Sequence, residues 1–412
     1  MNYVIIGNGT AAVGTIEGIR AVDAKGSITV ISDEPYPVYG RPLISYLLLG
    51  KTTEDKMLRY RPADFYEKNG VTTRFGCKVE KIDAAAKTVA LAGGESLPYD
   101  KLCICTGSRP FVPPMEGLDS VTDKTSFMTL DDAKHLDAML GAGKDKRVLI
   151  VGAGLIGLKC AEGIHTRVAE LTVIDLAPRI LPNVLTEAPA ARIQKHMESK
   201  GVRFLLEDSV ARFEPHTAHL QSGKTVDFDV LVVAVGVRPN TELAADAGCT
   251  VDRGILIDER SATNVADIFA AGDCTVSHDI SADTDRILAI LPNAYMQGET
   301  AGRTMAGGKA AFNKAVPMNA SGFMGLHMIT AGSYEGDAYL EQDEEHYKLL
   351  VTKNDRLVGF IMIGDVDRAG IYTSLIREQT PLSSIDFDLI REKPQLMAFS
   401  RAERAKKLGG AH

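Results

Sequence analysis

The chain has 412 residues, enough for about two or three domains, and its 45% hydrophobic and 24% charged content is ordinary for a globular protein. The formal net charge of −8 argues against a general binder of nucleic acid or anionic membranes, because such binders need a basic surface. No apolar run reaches the roughly 18 residues of a membrane-spanning helix. The N-terminus enters a strand without a basic leader or cleavage site, so we expect a cytoplasmic protein.

The first informative pattern is a glycine-rich turn near the N-terminus. Residues Tyr3–Ile6 predict a buried strand, the sequence Gly-Asn-Gly-Thr-Ala-Ala follows, and a helical pattern comes next. This order is typical of the dinucleotide-binding βαβ unit, whose glycines allow a tight turn and a close approach of pyrophosphate. The start of the helix then offers unpaired N–H groups to the phosphates. The residues predicted to bind here are Gly7, Gly9, Thr10, Ala11 and Ala12.

A second strand over Ser27–Ile31 is followed by two acidic residues, Asp33 and Glu34. In such units an acidic side chain about 20 residues beyond the glycines accepts hydrogen bonds from an adenosine ribose. Either residue fits that role, and a solvated turn is the alternative.

A stiff, proline-rich segment, Pro35-Tyr-Pro-Val-Tyr-Gly-Arg-Pro-Leu-Ile-Ser-Tyr46, precedes the next helix. With this loop the chain resembles the two-dinucleotide-binding-domain flavoproteins of the pyridine nucleotide–disulfide oxidoreductase superfamily. Within it, the chain is similar to NADH:rubredoxin reductases, ferredoxin reductases and the flavin-binding part of assimilatory nitrite reductases. The resemblance implies FAD and NADH as cofactors, and it implies that the loop, with Arg41 and Pro42, lies against the isoalloxazine ring.

The cysteines set this chain apart from the thiol-dependent members of the superfamily. Those members carry a redox cysteine in or near the loop, whereas this chain has no cysteine between Met1 and Gly76. We therefore expect electrons to pass from the flavin directly to an acceptor. Cys103 and Cys105 fall in a strand-like run and are expected to be small apolar core residues.

A charge pair of the relatives is also changed. Many relatives have a lysine that would align near Tyr46, paired with a glutamate that aligns with Lys159. In this chain the loop position is Tyr46 and the helix position is Lys159, so the positive charge is on the helix. We expect Lys159 to supply positive charge near the flavin and to stabilise its reduced, anionic form. A surface position on an exposed helix face is the alternative.

The run Leu97–Pro110 resembles the strand and Thr-Gly turn at which relatives leave the flavin domain, which implies cofactor contacts from Thr106, Gly107 and Arg109. Prolines beyond it make the crossing stiff. The run Asp229–Asn240 mirrors this turn and marks the return, with Gly236 at its bend. Its continuous apolar residues predict a parallel strand buried on both faces.

Between these crossings lies a second and more complete nucleotide motif. The strand Arg147–Val151 leads into Gly-Ala-Gly-Leu-Ile-Gly and a helix, and Asp175 closes the next strand, Leu171–Ile174. A carboxylate at that place binds the ribose 2′-hydroxyl and repels a 2′-phosphate, and no arginine directly follows it, so the pattern favours NADH over NADPH. The predicted residues are Gly152, Gly154, Leu155, Ile156, Gly157 and Asp175.

The last flavin motif of the resemblance is Ala262–Asp273, whose strand brings Gly272 and Asp273 to the flavin. An aspartate there accepts hydrogen bonds from hydroxyls that would otherwise be buried unpaired. A helix start follows at Leu291–Gly298, and its dipole would stabilise negative charge on reduced flavin. Asn293 and Ala294 are candidate contacts, and a simple proline-led helix start is the alternative.

The remaining residues predict a small C-terminal domain that matches that of rubredoxin- and nitrite-reductase-like relatives. Residues 346–364 predict a hairpin with an Asn-Asp turn, and residues 369–378 predict a helix. The tail 391–407 carries six Lys/Arg against two Glu and predicts a solvated face or, as the alternative, a docking surface for an acidic carrier. The histidines show no metal-ligand spacing, and we assign no metal.

We therefore predict an α/β chain of two Rossmann-like units with parallel sheets plus a small α+β C-terminal domain. The predicted boundaries are 1–118 and 243–312 for the FAD-binding domain, 119–242 for the NAD(H)-binding domain and 313–412 for the C-terminal domain. The predicted activity is NADH oxidation through FAD with a rubredoxin or another iron–sulfur protein as acceptor. An NADH oxidase or peroxidase, or an electron-entry subunit of a larger complex, is the alternative. A homodimer is left open.

Overall fold

The computed structural model describes residues 1–400 and 404. The helices are α1 Thr10–Arg20, α2 Ile44–Leu48, α3 Glu54–Met57, α4 Phe65–Lys68, α5 Leu130–Leu140, α6 Leu155–Ile164, α7 Glu187–Glu198, α8 Glu242–Asp246, α9 Leu291–Met305, α10 Ala369–Arg377 and α11 Phe387–Glu392. The strands are β1 Asn2–Ile6, β2 Ser27–Ser32, β3 Val71–Phe75, β4 Val79–Asp83, β5 Thr88–Leu91, β6 Ser96–Pro98, β7 Lys101–Ile104, β8 Ser108–Pro110, β9 Lys124–Thr125, β10 Arg147–Val151, β11 Glu170–Ile174, β12 Val202–Leu205, β13 Val210–Glu214, β14 Thr217–Leu220, β15 Thr225–Asp227, β16 Val230–Val233, β17 Val237–Pro239, β18 Ile255–Leu256, β19 Ile268–Ala270, β20 Thr275–Asp279, β21 Thr284–Arg286, β22 Met318–Phe323, β23 Leu326–Gly332, β24 Asp337–Gln342, β25 Tyr347–Lys353 and β26 Arg356–Ile363.

The chain divides into two compact units. The first comprises Met1–Val276 and Leu291–Phe312, and the second comprises Ser277–Ile290 and the described residues from Asn313 onward. The segment Ser277–Ile290 thus lies in the second unit, whereas the predicted boundaries include it in the flavin domain. The finer division of the first unit into a flavin part and an insert stays a prediction.

Two five-stranded parallel sheets form the frame of the first unit, in the orders β19-β7-β1-β2-β3 and β12-β11-β10-β16-β9. Each predicted strand that precedes a glycine-rich turn, β1 or β10, is the middle strand of its sheet. The four residues of β16 are all buried, as expected for a parallel strand covered on both faces. The predicted α/β class with two such units is confirmed.

Helices α1 and α9 pack closely because glycines take the place of side chains where they meet. A Cβ at Gly18 would lie 2.2 Å from the carbonyl oxygen of Glu299, and one at Gly302 would lie 2.1 Å from that of Thr15. The contacts advance together along both helices, so the helices run parallel. Their N-termini therefore meet at the same place, beyond the carboxyl end of β1.

Two short crossing strands join the parts of the first unit. Strand β8 pairs antiparallel with β17, which places the two predicted crossings side by side. The Thr106 hydroxyl donates to the carbonyl of Asn240 at 2.7 Å, and the Asn240 amide donates back to the carbonyl of Thr106 at 2.9 Å. The mirrored turns of the sequence are thus one paired structure.

The second unit contains an antiparallel sheet in the order β22-β23-β26-β25-β24, with α10 packed on it. The predicted hairpin turn has Asn354 and Asp355 at φ 52° and 59°, which is the geometry of a type I′ turn. Phe360 and Tyr372 belong to its buried core. In the basic tail, residues 401–403 and 405–407 lie outside the described residues.

Among the described helices, none is both long enough and apolar enough to cross a bilayer.

Candidate functional site

The two glycine-rich turns have the same backbone geometry. Gly7 has φ +102° and Gly152 has φ +115°, a region that favours glycine. A Cβ on Gly7 would lie 2.1 Å from the carbonyl oxygen of Cys105, and one on Gly152 would lie 2.3 Å from that of Ala234. Each turn therefore requires glycine both for its torsion and for its contact with the neighbouring strand.

The helices that follow these turns begin without a side-chain cap. The N-cap of α1 is Gly9 and that of α6 is Gly154, and neither helix start is capped by a side chain. Apart from the glycine itself and its neighbours in the chain, no atom of the described residues lies within 4 Å of the place that a Cβ would take on either glycine. By contrast, α5 begins in a complete capping box. Open N–H groups and open space are what a pyrophosphate needs, so both helix starts fit a dinucleotide.

A single cavity in the first unit collects most of the predicted flavin residues. Those that line it are Gly7, Gly9, Thr10, Ala11, Asp33, Glu34, Arg41, Thr106, Gly107, Arg109, Gly272, Asp273 and Ala294. Three predicted residues do not line it, namely Ala12, Pro42 and Asn293. Ala12 and Asn293 are buried, which agrees with a packing role for Ala12.

The cavity also has wall residues that are not among the predicted site residues. They include Asn8, Tyr36, Pro37, Tyr39, Cys105, Ser108, Met128, Thr129, Asn240 and Leu291. Pro37 and the two tyrosines lie in the quoted loop, so the motif itself was a signal for them. Met128 and Thr129 carried no such signal, because they come from a distant helix start. The Ser108 hydroxyl is buried and has no hydrogen-bond partner within the described structure, as suits a residue facing a ligand.

The two acidic residues after β2 differ in their contacts. Glu34 forms an ion pair with Arg41 and accepts a hydrogen bond from the Tyr39 hydroxyl at 2.7 Å. Asp33 also lines the cavity, and among the described residues no ion pair to its carboxylate is present. We therefore favour Asp33 as the ribose acceptor and Glu34 as the residue that holds Arg41.

Asp273 is a third acidic residue that lines this cavity. Burial raises the pKa of its carboxyl to about 6, and the guanidinium of Arg41 acts in the opposite direction. A carboxylate that has lost its water is short of hydrogen-bond donors, so ligand hydroxyls would satisfy it. This environment suits the predicted contact with the ribityl side of a flavin.

Lys159 does not line the cavity, but it contacts Tyr46, the position at which the resemblance implies its partner. Its ammonium lies 4.7 Å from the centroid of the Tyr46 ring and forms an ion pair with Glu162 on the same helix. The Lys159 side chain is only 18% exposed, which does not fit the alternative of an exposed helix face. Its role toward the flavin stays a prediction, now with Glu162 as a partner in any electrostatic effect.

At the second turn, Asp175 organises the loop as well as offering a carboxylate. Its oxygens accept hydrogen bonds from the backbone N–H of Ala153 at 2.6 Å and of Ala177 at 2.8 Å. Arg179, the nearest following arginine, donates to the carbonyls of Leu185 and Pro182. Because loop carbonyls hold that guanidinium, it is a poor candidate to receive a 2′-phosphate. Gly236, the remaining predicted contact, is exposed and follows β16.

Arg109 lines the cavity but is paired across the crossing. Its guanidinium donates to Asn240 at 2.7 Å and forms an ion pair with Glu242 at 2.5 Å. These partners give it a structural role in joining β8 to β17. A direct contact with the cofactor stays a prediction.

The environment of Cys105, on the cavity wall, does not activate its thiol. Cys105 is the one cysteine of the chain that lines the cavity, and all six cysteines lie within the described residues. A hydrogen bond with Cys103, at a sulfur–sulfur distance of 3.6 Å, and burial both raise the pKa of Cys105 well above its usual value. A thiol held in its protonated form is a poor nucleophile. Both cysteines are buried, as predicted.

Comparison with known proteins agrees with this geometry. A family model described as pyridine nucleotide-disulphide oxidoreductase matches residues 1–298. The chain belongs to the pyridine nucleotide-disulphide oxidoreductase family. A second model, described as rubredoxin NAD+ reductase C-terminal domain, matches residues 317–380. The resemblance inferred from the motifs is confirmed.

Relatives and solved structures extend the match over nearly the whole chain. The chain is 30% identical over 396 residues to the NADH-dependent phenylglyoxylate dehydrogenase subunit epsilon of Aromatoleum evansii, covering 93% of each. It is 31% identical over 394 residues to the nitrite reductase [NAD(P)H] of Bacillus subtilis, covering 92% of this chain and 48% of that one, so it spans about half of that relative. The covalent putidaredoxin reductase–putidaredoxin complex matches with a TM-score of 0.87 at 24% identity, over 100% of this chain and 99% of that one, which shows the fold alone.

The chain is accordingly an FAD-dependent NAD(P)H oxidoreductase, with FAD and NADH as its cofactors. The uncapped start of α1, the open space at Gly9 and the buried carboxyl of Asp273 fit a flavin dinucleotide. The open start of α6 and the acidic Asp175 fit NADH.

Proposed function

We propose that the chain carries electrons from NADH through FAD to a small iron–sulfur or rubredoxin-type protein. The observation that carries the proposal is that the one cysteine lining the cavity, Cys105, is held in its protonated form. A thiol relay beside the flavin is therefore disfavoured, and electrons would pass from the flavin directly to a carrier. The similarity of residues 317–380 to a rubredoxin reductase C-terminal domain supports the choice of acceptor. We place FAD on residues 1–118 and 243–312 and NADH on the insert 119–242.

In this proposal the protein binds and positions, and it supplies no acid or base. When bound, FAD accepts a hydride from NADH and can release electrons one at a time, which an iron protein requires. The start of α1 binds phosphate, Arg41 is fixed by Glu34, and Asp273 accepts hydroxyl hydrogen bonds. Positioning of this kind accounts for most of the rate, because hydride transfer needs close and aligned rings.

The test is NADH-driven reduction of purified rubredoxin, a plant-type ferredoxin and a putidaredoxin-type ferredoxin by the isolated chain. Reoxidation of the reduced protein by each carrier and by air is followed by stopped flow. We expect at least one carrier to reoxidise the protein much faster than air does. Reoxidation by air at the turnover rate, with no carrier reduced, would instead identify an NADH oxidase.

A matched variant separates a direct path from a thiol path. Cys105→Ser replaces the thiol with a hydroxyl of similar size and so removes the one thiol that lines the cavity. We expect the variant to keep its flavin and its carrier turnover. Loss of turnover with flavin retained would contradict the proposal, since it would require sulfur in the electron path.

A second candidate is an electron-entry subunit of a larger redox complex. It is favoured by the relative from Aromatoleum evansii, which is a subunit and which the chain matches over 93% of its length. Affinity purification from the native host, followed by identification of co-purifying chains, tests it. Steady NADH-to-carrier turnover by the isolated chain at a similar rate favours the first proposal.

A further inference from the structure

The hydroxyl of Tyr39 connects two segments that are far apart in the sequence. It donates a hydrogen bond to a carboxylate oxygen of Glu34 at 2.7 Å and accepts one from the backbone N–H of Leu130 at 3.0 Å. The Tyr39 side chain is buried, so water does not compete for either bond. Glu34 follows β2, whereas Leu130 is the first residue of α5, within the predicted NADH insert.

One side of this connection is part of the flavin cavity. Glu34 and Arg41 both line it, and they form an ion pair with each other. The guanidinium of Arg41 also lies 5.1 Å from the centroid of the Tyr39 ring. Any ligand that fixes Arg41 or Glu34 therefore also fixes the hydroxyl of Tyr39.

The other side is the first turn of α5. Within the capping box, the Thr129 hydroxyl accepts from the N–H of Asp132, and the Asp132 carboxylate accepts from the N–H of Thr129. The capping box does not satisfy the N–H of Leu130, and Tyr39 does. Thr129 also lines the cavity, so this turn faces the ligand as well.

We propose that Tyr39 is a positioning residue that couples flavin binding to the order of the first turn of α5, and through it to the placement of the NADH-binding insert. The inference rests on the proposed function, because it requires FAD in this cavity. Bound FAD fixes the ion pair, the ion pair fixes the tyrosine, and the tyrosine completes the helix start. Coupling of this kind is reciprocal, so an ordered α5 also strengthens flavin binding.

Amide hydrogen exchange of the full chain, with and without FAD, tests the coupling directly. In the wild-type protein we expect FAD to slow exchange in the peptide 128–134. In Tyr39→Phe the ring stays but the N–H of Leu130 loses its acceptor, so the FAD-linked slowing should fall by about tenfold. The KM for NADH should rise more than kcat falls, since the variant displaces the insert rather than the flavin.

The matched control is Tyr3→Phe, which removes another hydroxyl of a buried tyrosine, bonded to Asp23 at 2.9 Å and away from the cavity. It should keep the full FAD-linked slowing. If Tyr39→Phe does not fold, Glu34→Gln weakens the ion pair with Arg41 and should reduce the slowing in the same direction. Undiminished slowing in Tyr39→Phe, or in Glu34→Gln where that variant takes its place, would overturn the coupling. A wild-type chain that binds no FAD would instead overturn the proposed function.

Discussion

The glycine contacts between α1 and α9 make a quantitative prediction. In Gly302→Ala, the new Cβ would lie 2.1 Å from the carbonyl oxygen of Thr15 and 2.7 Å from the backbone nitrogen of Ile19. Neither backbone atom can move without its helix, so the helices must separate by about 1 Å or more. Overpacking of this kind costs roughly 1–3 kcal/mol, and the gain in helix propensity of about 1 kcal/mol offsets only part of it.

The assay follows from where the two helices begin. Both N-termini line the flavin cavity, through Thr10 and Ala11 on α1 and Leu291 and Ala294 on α9. Separation of the helices should therefore loosen FAD as well as lower stability. We expect a lower temperature of flavin release, followed by flavin fluorescence, and a fall in Tm of about 2–4 °C for each kcal/mol.

The control is Gly370→Ala in the first turn of α10, where, beyond the helix's own backbone, no atom of the described residues lies within 4 Å of the new Cβ. Its Tm should stay the same or rise, because alanine favours a helix. A second test is Gly18→Ala, whose Cβ would lie 2.2 Å from the carbonyl oxygen of Glu299. The double variant should lose less stability than the two single variants lose together, since one substitution already separates the helices. Equal flavin-release temperatures for Gly302→Ala and the control would refute the reasoning.

Three further predictions concern charged residues. Burial raises the pKa of Asp273 to about 6, so the folded apoprotein binds more protons than the unfolded chain between roughly pH 4 and 6. The urea midpoint of the apoprotein should therefore fall as the pH rises through that window. In Asp273→Asn the midpoint should change less with pH over the same window. Asp175→Ser should narrow the kcat/KM preference for NADH over NADPH, and unchanged selectivity would remove Asp175 from the site. Lys159→Gln should shift the flavin reduction potential to more negative values, and adding Glu162→Gln should reverse part of the shift, measured by dye equilibration.

The sequence was a good guide wherever the determining interactions are local. Both glycine-rich turns, the strands before them and the Asn354-Asp355 hairpin turn are correctly predicted, because each depends on a few neighbouring residues and their torsions. The buried run of β16 is also correct, since a parallel strand covered on both faces has a continuous apolar pattern.

The parts that were missed depend on pairings between distant segments. Nothing in the sequence around Met128 and Thr129 indicates that they line the cavity with residues from β1 and β2. The choice between Asp33 and Glu34 stays a prediction, and the contact that favours Asp33, the ion pair of Arg41 with Glu34, forms only once the loop is folded. The sequence likewise carries no local signal that groups the segment Ser277–Ile290 with the second unit.

Lys159 takes part in a different arrangement from the charge pair that the resemblance implies for the relatives. Its ammonium lies over the ring of Tyr46. It also forms an ion pair with Glu162, a residue of its own helix whose side chain is only 3% exposed. The buried carboxylate of Glu162 favours a nearby cation, because a buried charge without a partner is costly. The lysine is therefore bound to the helix by Glu162, and a nearby flavin would experience a dipole rather than a single charge.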